Sequence, residues 1–251
     1  MISEPFALGN SAIHQLDPRI RIGFTIAYAF VVALSYQFSV LIMALVISSV
    51  LILISQVTIT NVIKRIIWVN ALIFLLWLLL PFTFKGEILT RIGSLAIYRP
   101  GVMLAAQITL KSNAILLAFI ALVATMSFST LGHALFRLNI PEKIVLLLLM
   151  TYRYVFVIEQ EYLRLIRATK IRGFRPGTNT NTYRTYSYVV GMLFVRAAAR
   201  AERVHQAMLC RGFKGKFYSL HEFQISSAGW MFSILMTAII GVLVFWEILN
   251  G

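Results

Sequence analysis

Long stretches without a charged side chain dominate the sequence. No Asp, Glu, Lys or Arg interrupts residues 22–63. As a helix that stretch would measure about 63 Å, roughly twice a bilayer's hydrocarbon core of about 30 Å. It therefore predicts two transmembrane helices joined by a turn near residues 35–39. Residues 66–84 and 223–246 are further uncharged runs of spanning length, and 101–126 is another with Lys111 inside it. The pattern predicts an all-α integral membrane protein with about five transmembrane helices.

The composition supports this class, and the charges add a topology. Hydrophobic residues make up 59% of the 251, and the net charge is +14. Most of that positive charge lies in residues 127–222, and basic residues on a membrane protein mark its cytoplasmic side. The sequence therefore predicts a membrane part at 1–126 with four spans, a cytoplasmic region at 127–222 and a last span at 223–251. The N-terminus is expected in the cytoplasm, and no nucleic acid partner is implied.

The predicted cytoplasmic region contains two long helices. The first should run from about Pro141 to Arg172, since a proline and a following glutamate favour a helix start. Gly173 and Pro176 end it. A polar connector at 178–182 leads to the second helix, which is expected from about Tyr183 to Arg211.

The two helices end in the same short pattern. Residues 168–175 read Ala-Thr-Lys-Ile-Arg-Gly-Phe-Arg, and residues 207–214 read Ala-Met-Leu-Cys-Arg-Gly-Phe-Lys. A glycine after the arginine supplies the left-handed residue with which helices commonly end. One copy would be ordinary helix termination, but two matching copies predict two equivalent docking ends for a partner with two similar subunits. Arginine suits docking, because its planar fork carries five donors for carboxylates and carbonyls.

Other chemistries have little support. Cys210 is the only cysteine, and the four histidines are widely spaced, so neither a disulfide nor a metal site is expected. No Gly-rich phosphate loop occurs, so the chain should hold no cofactor and bind no ATP of its own. Lys111 and Asn113 are the polar outliers inside a predicted span. Lys111 has two open interpretations: it snorkels to the interface, or it contacts a polar group on a neighbouring helix.

These residues resemble the transmembrane T component of energy-coupling-factor (ECF) importers, the CbiQ/EcfT family. The resemblance implies that the two helices are coupling helices inserted into a pair of ABC-type ATPases, which bind the ATP. It also implies a separate substrate-binding S component, and a bacterial or archaeal cell membrane as the location. By motif, the ATPase contacts would be Ala168, Arg172 and Gly173 with Ala207, Arg211 and Gly212. The remaining motifs that carry the resemblance are Ser11-x-x-His14-x-Leu16-Asp17-Pro18-Arg19, Leu135-x-Arg137-Leu138-x-x-Pro141, Tyr152-Arg153-Tyr154 and Glu159-x-Glu161.

Several alternatives stay open at this point. Residues 204–217 look more like the cobalt and nickel branch of the family, and the same role in a vitamin importer is the alternative. A more remote one is a basic membrane scaffold that binds anionic lipid. A membrane enzyme acting on lipid or phosphate substrates would need convergent acids or histidines, and the carboxylates here are scattered. The sequence therefore favours a non-catalytic subunit of an ATP-driven transporter.

Overall fold

The computed structural model describes residues 11, 13, 16–83, 87–92, 95–138, 140–215 and 227–250. Helices make up most of this part of the chain, which confirms the predicted all-α membrane class. The predictions at His14, Asn139, Lys216 and the 222/223 boundary lie outside the described residues. The helices are α1 (Pro18–Leu34), α2 (Phe38–Ser55), α3 (Ile59–Thr83), α4 (Arg99–Phe119), α5 (Phe128–Arg137), α6 (Glu142–Ile171), α7 (Thr180–Cys210) and α8 (Ser227–Asn250).

Among the described residues, four helices are long and apolar enough to cross a membrane. They are Phe38–Ser55, Ile59–Thr83, Arg99–Ala124 and Ser227–Leu249. The turn between α1 and α2 lies at residues 35–37, within the region where the sequence predicts it. With 17 residues, α1 would measure about 26 Å and stands at the lower limit for a span. The fifth predicted span rests on α1 and stays a prediction.

Local chemistry explains where the helices begin and turn. The Asp17 carboxylate accepts a hydrogen bond from the Arg19 amide at 2.9 Å, and Pro18 follows as the first residue of α1. Such a cap satisfies one of the amide groups that a helix start leaves unpaired. Gln56 ends α2 in the left-handed conformation, with a φ of 52°. α3 then begins at Ile59, so it includes Lys64 and Arg65, which directly precede the uncharged run at 66–84.

Between α3 and α4, the described residues contain a short β-hairpin, which the prediction of transmembrane helices does not include. β1 (Ile88–Ile92) pairs in antiparallel fashion with β2 (Leu95–Tyr98). α4 follows directly and ends in a π-helical turn at Ile120–Ala124. The hairpin is the only sheet among the described residues, so the helical class stands.

Packing divides the described residues into two compact units, 11–134 with 227–250 and 135–215. The predicted domain boundaries at 126 and 222 stay predictions. In the first unit α1, α2, α4 and α8 enclose apolar cores, and the buried Tyr28 hydroxyl donates to the Ala44 carbonyl at 2.6 Å. α3 and α4 approach so closely that a Cβ on Gly101 would lie 2.4 Å from the Leu80 carbonyl oxygen. Only glycine fits at this contact.

The second unit consists mainly of α6 and α7. α6 matches the predicted helix to within one residue at each end. α7 begins three residues before the predicted Tyr183, so the predicted connector at 178–182 is too long. The reason is Asn179, whose side-chain oxygen accepts a hydrogen bond from the Thr182 amide at 2.9 Å and caps the helix earlier.

Candidate functional site: two arginine-capped helix ends

An ion pair joins α6 to α7. The Glu161 carboxylate of α6 accepts a hydrogen bond from the Arg196 guanidinium of α7, and Arg164 lies 3.5 Å from the other carboxylate oxygen. The hydrogen bond from Arg196 lowers the pKa of the Glu161 carboxyl; the charges of Arg196, Arg164 and Arg200 add to this and outweigh partial desolvation. Glu161 is therefore held as a carboxylate between the two helices.

The C-terminus of α6 has the geometry of a Schellman cap. Arg172 is the last half-helical residue, and Gly173 follows with a φ of +82°. The Gly173 amide donates to the Lys170 carbonyl at 3.0 Å, and the Phe174 amide donates to the Thr169 carbonyl at 3.2 Å. These two bonds satisfy carbonyls that the helix end would otherwise leave unpaired.

The C-terminus of α7 repeats this geometry. Gly212 has a φ of +80° and donates to the Leu209 carbonyl at 2.9 Å. The Phe213 amide donates to the Met208 carbonyl at 3.0 Å. The duplicated Arg-Gly-Phe sequence therefore builds the same backbone twice, with the arginine at the same position of each cap.

All six predicted contact residues are exposed at these ends: Ala168, Arg172, Gly173, Ala207, Arg211 and Gly212. Within the described part of the chain, neither Arg172 nor Arg211 forms a side-chain hydrogen bond or an ion pair. A Cβ added at Gly173 or Gly212 would meet no atom within 4 Å, so backbone conformation alone requires these glycines. The cap therefore explains the glycine of each copy, whereas the hydrogen bonds of the cap do not require an arginine side chain at Arg172 or Arg211.

A cavity adjoins each cap. The one beside Arg172 measures about 460 Å³, and α6 contributes Leu165, Ala168, Thr169 and Arg172 to its wall, followed by Phe174. The one beside Arg211 measures about 530 Å³ and is lined by the residues at equivalent positions, Val204, Ala207, Met208, Arg211 and Phe213. The two cavities are therefore built on one plan.

The opposite helix completes each cavity with a tyrosine, a methionine and an arginine. α7 supplies Tyr188, Met192 and Arg196 beside Arg172, and α6 supplies Tyr154, Met150 and Arg153 beside Arg211. The sequence alone does not indicate this second set, because the residues lie far along the chain from the caps that they join. Arg153 and Tyr154 stand out in the sequence only as part of the family motif Tyr152-Arg153-Tyr154.

Lys111 and Asn113 contact the neighbouring helices of the first unit. The Lys111 ammonium donates to the Ala33 carbonyl at 2.8 Å, in the last turn of α1, and lies 4.5 Å from the centre of the Tyr36 ring. The Asn113 amide nitrogen donates to the Asn70 side-chain oxygen of α3 at 3.1 Å. These contacts join α4 to its neighbouring helices. They do not assign either residue a role in function.

Comparison with known proteins assigns the chain to a family. The model of the CbiQ family, described as cobalt transport protein, matches residues 9–222, a range that contains both caps. The energy-coupling factor transporter transmembrane protein EcfT of Bacillus subtilis (strain 168) is 25% identical over 228 residues, with 86% of this chain and 85% of the relative covered. EcfT of Listeria innocua is 27% identical over 232 residues, with the same coverage of both chains.

A cobalt transport protein, CbiQ of Salmonella typhimurium, is 28% identical over 124 residues, which cover 49% of this chain and 55% of that protein. The family match extends over most of the sequence and includes both arginine-capped helix ends. The chain therefore belongs to the CbiQ/EcfT family of membrane transport proteins.

Proposed function

We propose that this chain is the transmembrane coupling subunit of an ECF-type importer, and that Arg172 and Arg211 each dock into one of two ABC-type ATPase subunits. The observation that carries the proposal is the repetition: two helix ends share one backbone, one exposed arginine and one kind of cavity. A pair of similar partner subunits offers two similar grooves for such ends.

The chemistry of each end suits insertion into a protein groove. The cap places an arginine at the tip of a long helix, where its five donors can bind carboxylates and backbone carbonyls. The alanine four residues earlier lies on the same helix face and leaves room for a partner backbone. Polar and aromatic side chains in the adjoining cavity can then receive a partner side chain.

The contact between α6 and α7 would transmit movement of the ATPases to the membrane. ATPase closure would change the distance between the two grooves that hold the helix ends. Because Glu161 binds Arg196 between the helices, a displacement at one end is passed to the pair rather than absorbed by one helix. The helix pair would in turn reorient a separate substrate-binding S component in the membrane. ATP would be bound by the ATPases and not by this chain.

For the substrate we propose cobalt or nickel, because the family model and the Salmonella relative are named for cobalt transport. A vitamin importer is the second candidate, favoured by the EcfT relatives, which match a larger share of the chain. Uptake of labelled cobalt, nickel and vitamins by cells that depend on this chain would decide between them. Cobalt or nickel uptake that persists without the chain would contradict the first candidate.

The docking proposal is tested by the double variant Arg172→Ala/Arg211→Ala. We expect it to abolish uptake and to lose the ATPases on purification, while the membrane unit stays folded. Arg175→Ala, just beyond the first cap, serves as a control of matched charge and should have a mild effect. Wild-type uptake together with wild-type ATPase co-purification in the double variant would refute the docking role and favour the lipid-binding scaffold.

The proposed orientation places the N-terminus and the α6–α7 unit in the cytoplasm and the C-terminus outside. Cysteines introduced by Thr180→Cys and Asn250→Cys, in a Cys210→Ser background, should react with an impermeant reagent from opposite sides of the membrane. Labelling of both positions from the same side would show that the number of spans differs from five.

A further inference from the structure

We infer that a groove between α3 and α4 is a binding site for one anionic phospholipid. The groove has a volume of about 460 Å³ and is lined by Lys64, Arg65, Trp68, Val69 and Leu116. That volume lies within the range of small-molecule sites, about 300–1,000 Å³. The groove belongs to the first unit, away from the helix ends discussed above, and the proposal stands independently of the coupling role.

The cations of the groove lie at the boundary of a membrane span. Residues 66–83 of α3 carry no charge and measure about 27 Å as a helix, close to the thickness of a hydrocarbon core. Lys64 and Arg65 directly precede this run. They are therefore placed at the level of lipid headgroups, where phosphate is the most abundant anion.

Two hydrogen bonds fix how α4 lies beside these residues. The Trp77 indole nitrogen donates to the Thr109 hydroxyl at 2.9 Å, and Asn113 binds Asn70 at 3.1 Å. α3 and α4 are therefore antiparallel, and residues near the start of α3 lie beside residues near the end of α4. Continuing the same register brings Leu116 beside Val69, which forms the apolar side of the groove.

The order of side chains along the groove, cationic and then aromatic or apolar, matches the order of headgroup and acyl chain in a phospholipid. Lys64 and Trp68 lie four residues apart, as do Arg65 and Val69, so each helix face carries a cation above an apolar or aromatic group. Trp68 is 82% exposed, and tryptophan favours the interface between headgroups and acyl chains. Lys64 and Arg65 would bind the phosphate, while Val69 and Leu116 contact the first methylenes of an acyl chain. Basic grooves between transmembrane helices bind anionic headgroups in this way.

Native mass spectrometry of the full chain, titrated with dioleoyl-phosphatidylglycerol or dioleoyl-phosphatidylcholine, tests the proposal. We expect the chain to bind phosphatidylglycerol more tightly than phosphatidylcholine at one or more sites. Lys64→Gln/Arg65→Gln should weaken phosphatidylglycerol binding about 25-fold, since each basic group near an anionic lipid contributes about fivefold. Arg137→Gln/Lys143→Gln removes the same charge elsewhere and should change the affinity little. An equal loss in both variants would show attraction to overall charge and would overturn the site.

Three further measurements separate the lipid from other occupants and a loss of binding from misfolding. Glycerol 3-phosphate, which has the headgroup chemistry without acyl chains, should not displace the lipid at equal concentration; displacement would mean a phosphate site and not a lipid site. The charge-preserving variant Lys64→Arg/Arg65→Lys should retain binding, which guards against misfolding as the cause of loss. A photoreactive residue at Val69 should capture phospholipid from the native membrane, and capture of a protein chain instead would overturn the proposal.

Discussion

The helix ends at Arg172 and Arg211 share a backbone but differ in the charges around it. At the α6 end, the second arginine of the cavity, Arg196, is bound by Glu161. At the α7 end, the corresponding Arg153 has no ion pair in the described part of the chain, and Lys214 adds a further cation to the wall. The local motif therefore determines the backbone geometry of each cap, whereas contacts between residues distant in sequence determine the charges around it. Two docking ends with the same motif need not depend equally on their arginine.

The largest effect should come from removing the cap arginines one at a time. Arg172→Ala should reduce uptake more than Arg211→Ala, because Arg153 and Lys214 leave positive charge at the second end. Loss of an arginine from a buried polar contact costs about 2–5 kcal/mol in the complex, since its partners are left unpaired. Uptake and ATPase co-purification measure both changes.

Lysine replacements serve as the controls for charge in this series. Arg172→Lys and Arg211→Lys should recover uptake only in part, since an ammonium lacks the planar fork. Equal losses in the two alanine variants would show that the partner reads only the cap arginine, and that the surrounding charges do not matter.

A smaller effect, similar at both ends, is expected from the cap glycines. Gly173→Ala and Gly212→Ala should each cost about 1–2 kcal/mol of cap stability, because an L-residue is strained in the left-handed conformation. The space around both positions is open, so no steric clash adds to this cost. Hydrogen exchange at the Phe174 and Phe213 amides, which close the two caps, reports the change.

Asparagine, which tolerates the left-handed conformation better, provides the comparison for the glycine variants. Gly173→Asn and Gly212→Asn should exchange at rates between those of wild type and the alanine variants. If one end tolerates alanine without faster exchange, the two caps are not equivalent in stability, despite their matching hydrogen bonds.

The parts of this site that could be predicted are those set by residues close together in the sequence. The α6 and α7 ends fall within one residue of prediction because Gly173 and Gly212 act through their own φ angle. The family resemblance, carried mainly by these two ends, is confirmed by the comparison with known proteins. The contact between Glu161 and Arg196 could not be predicted, because 35 residues separate them and only the packing of α6 on α7 brings them together.

The same reasoning explains the smaller misses. The early start of α7 depends on the Asn179 side chain turning back to one amide, and asparagine is common both in connectors and as a cap. The hairpin at 88–98 lies between two strongly apolar runs, so periodicity gave no separate signal for it. Lys111 could be recognised as unusual from sequence, but its contact with the Ala33 carbonyl required the position of α1.

The ion pair itself provides a test by pH. The folded pKa of Glu161 is lowered, so the stabilisation by its carboxylate is fully present above the unfolded value of about 4.3. It should be lost as the pH falls below that value through the folded pKa. Hydrogen exchange of α6 and α7 between pH 7 and pH 3 should show this loss of protection, and Glu161→Gln should remove the pH dependence.

Glu159→Gln is the matched control, because Glu159 lies two residues before Glu161 in the same motif and is exposed. It should keep the wild-type pH profile. At neutral pH, Glu161→Gln should also release Arg196 and make the α6 end resemble the α7 end. Arg172→Ala should then reduce ATPase co-purification by a smaller factor when it is added to Glu161→Gln than when it is added to the wild type. An unchanged effect would mean that Arg196 does not contribute to docking.

The smallest expected effect concerns an aromatic contact at the α6 end. The Phe174 ring meets the Tyr186 ring edge to face, with centres 5.8 Å apart. Such a pair contributes about 0.5–1.5 kcal/mol beyond the area that it buries. Tyr186→Leu should therefore speed exchange at the Phe174 amide by roughly two- to tenfold and leave the Phe213 amide unchanged. Tyr183→Leu, an exposed tyrosine on the first turn of the same helix, should change neither. Faster exchange at both amides would show that the two caps are coupled through the helix pair, so that their stabilities could no longer be treated as separate properties of each end.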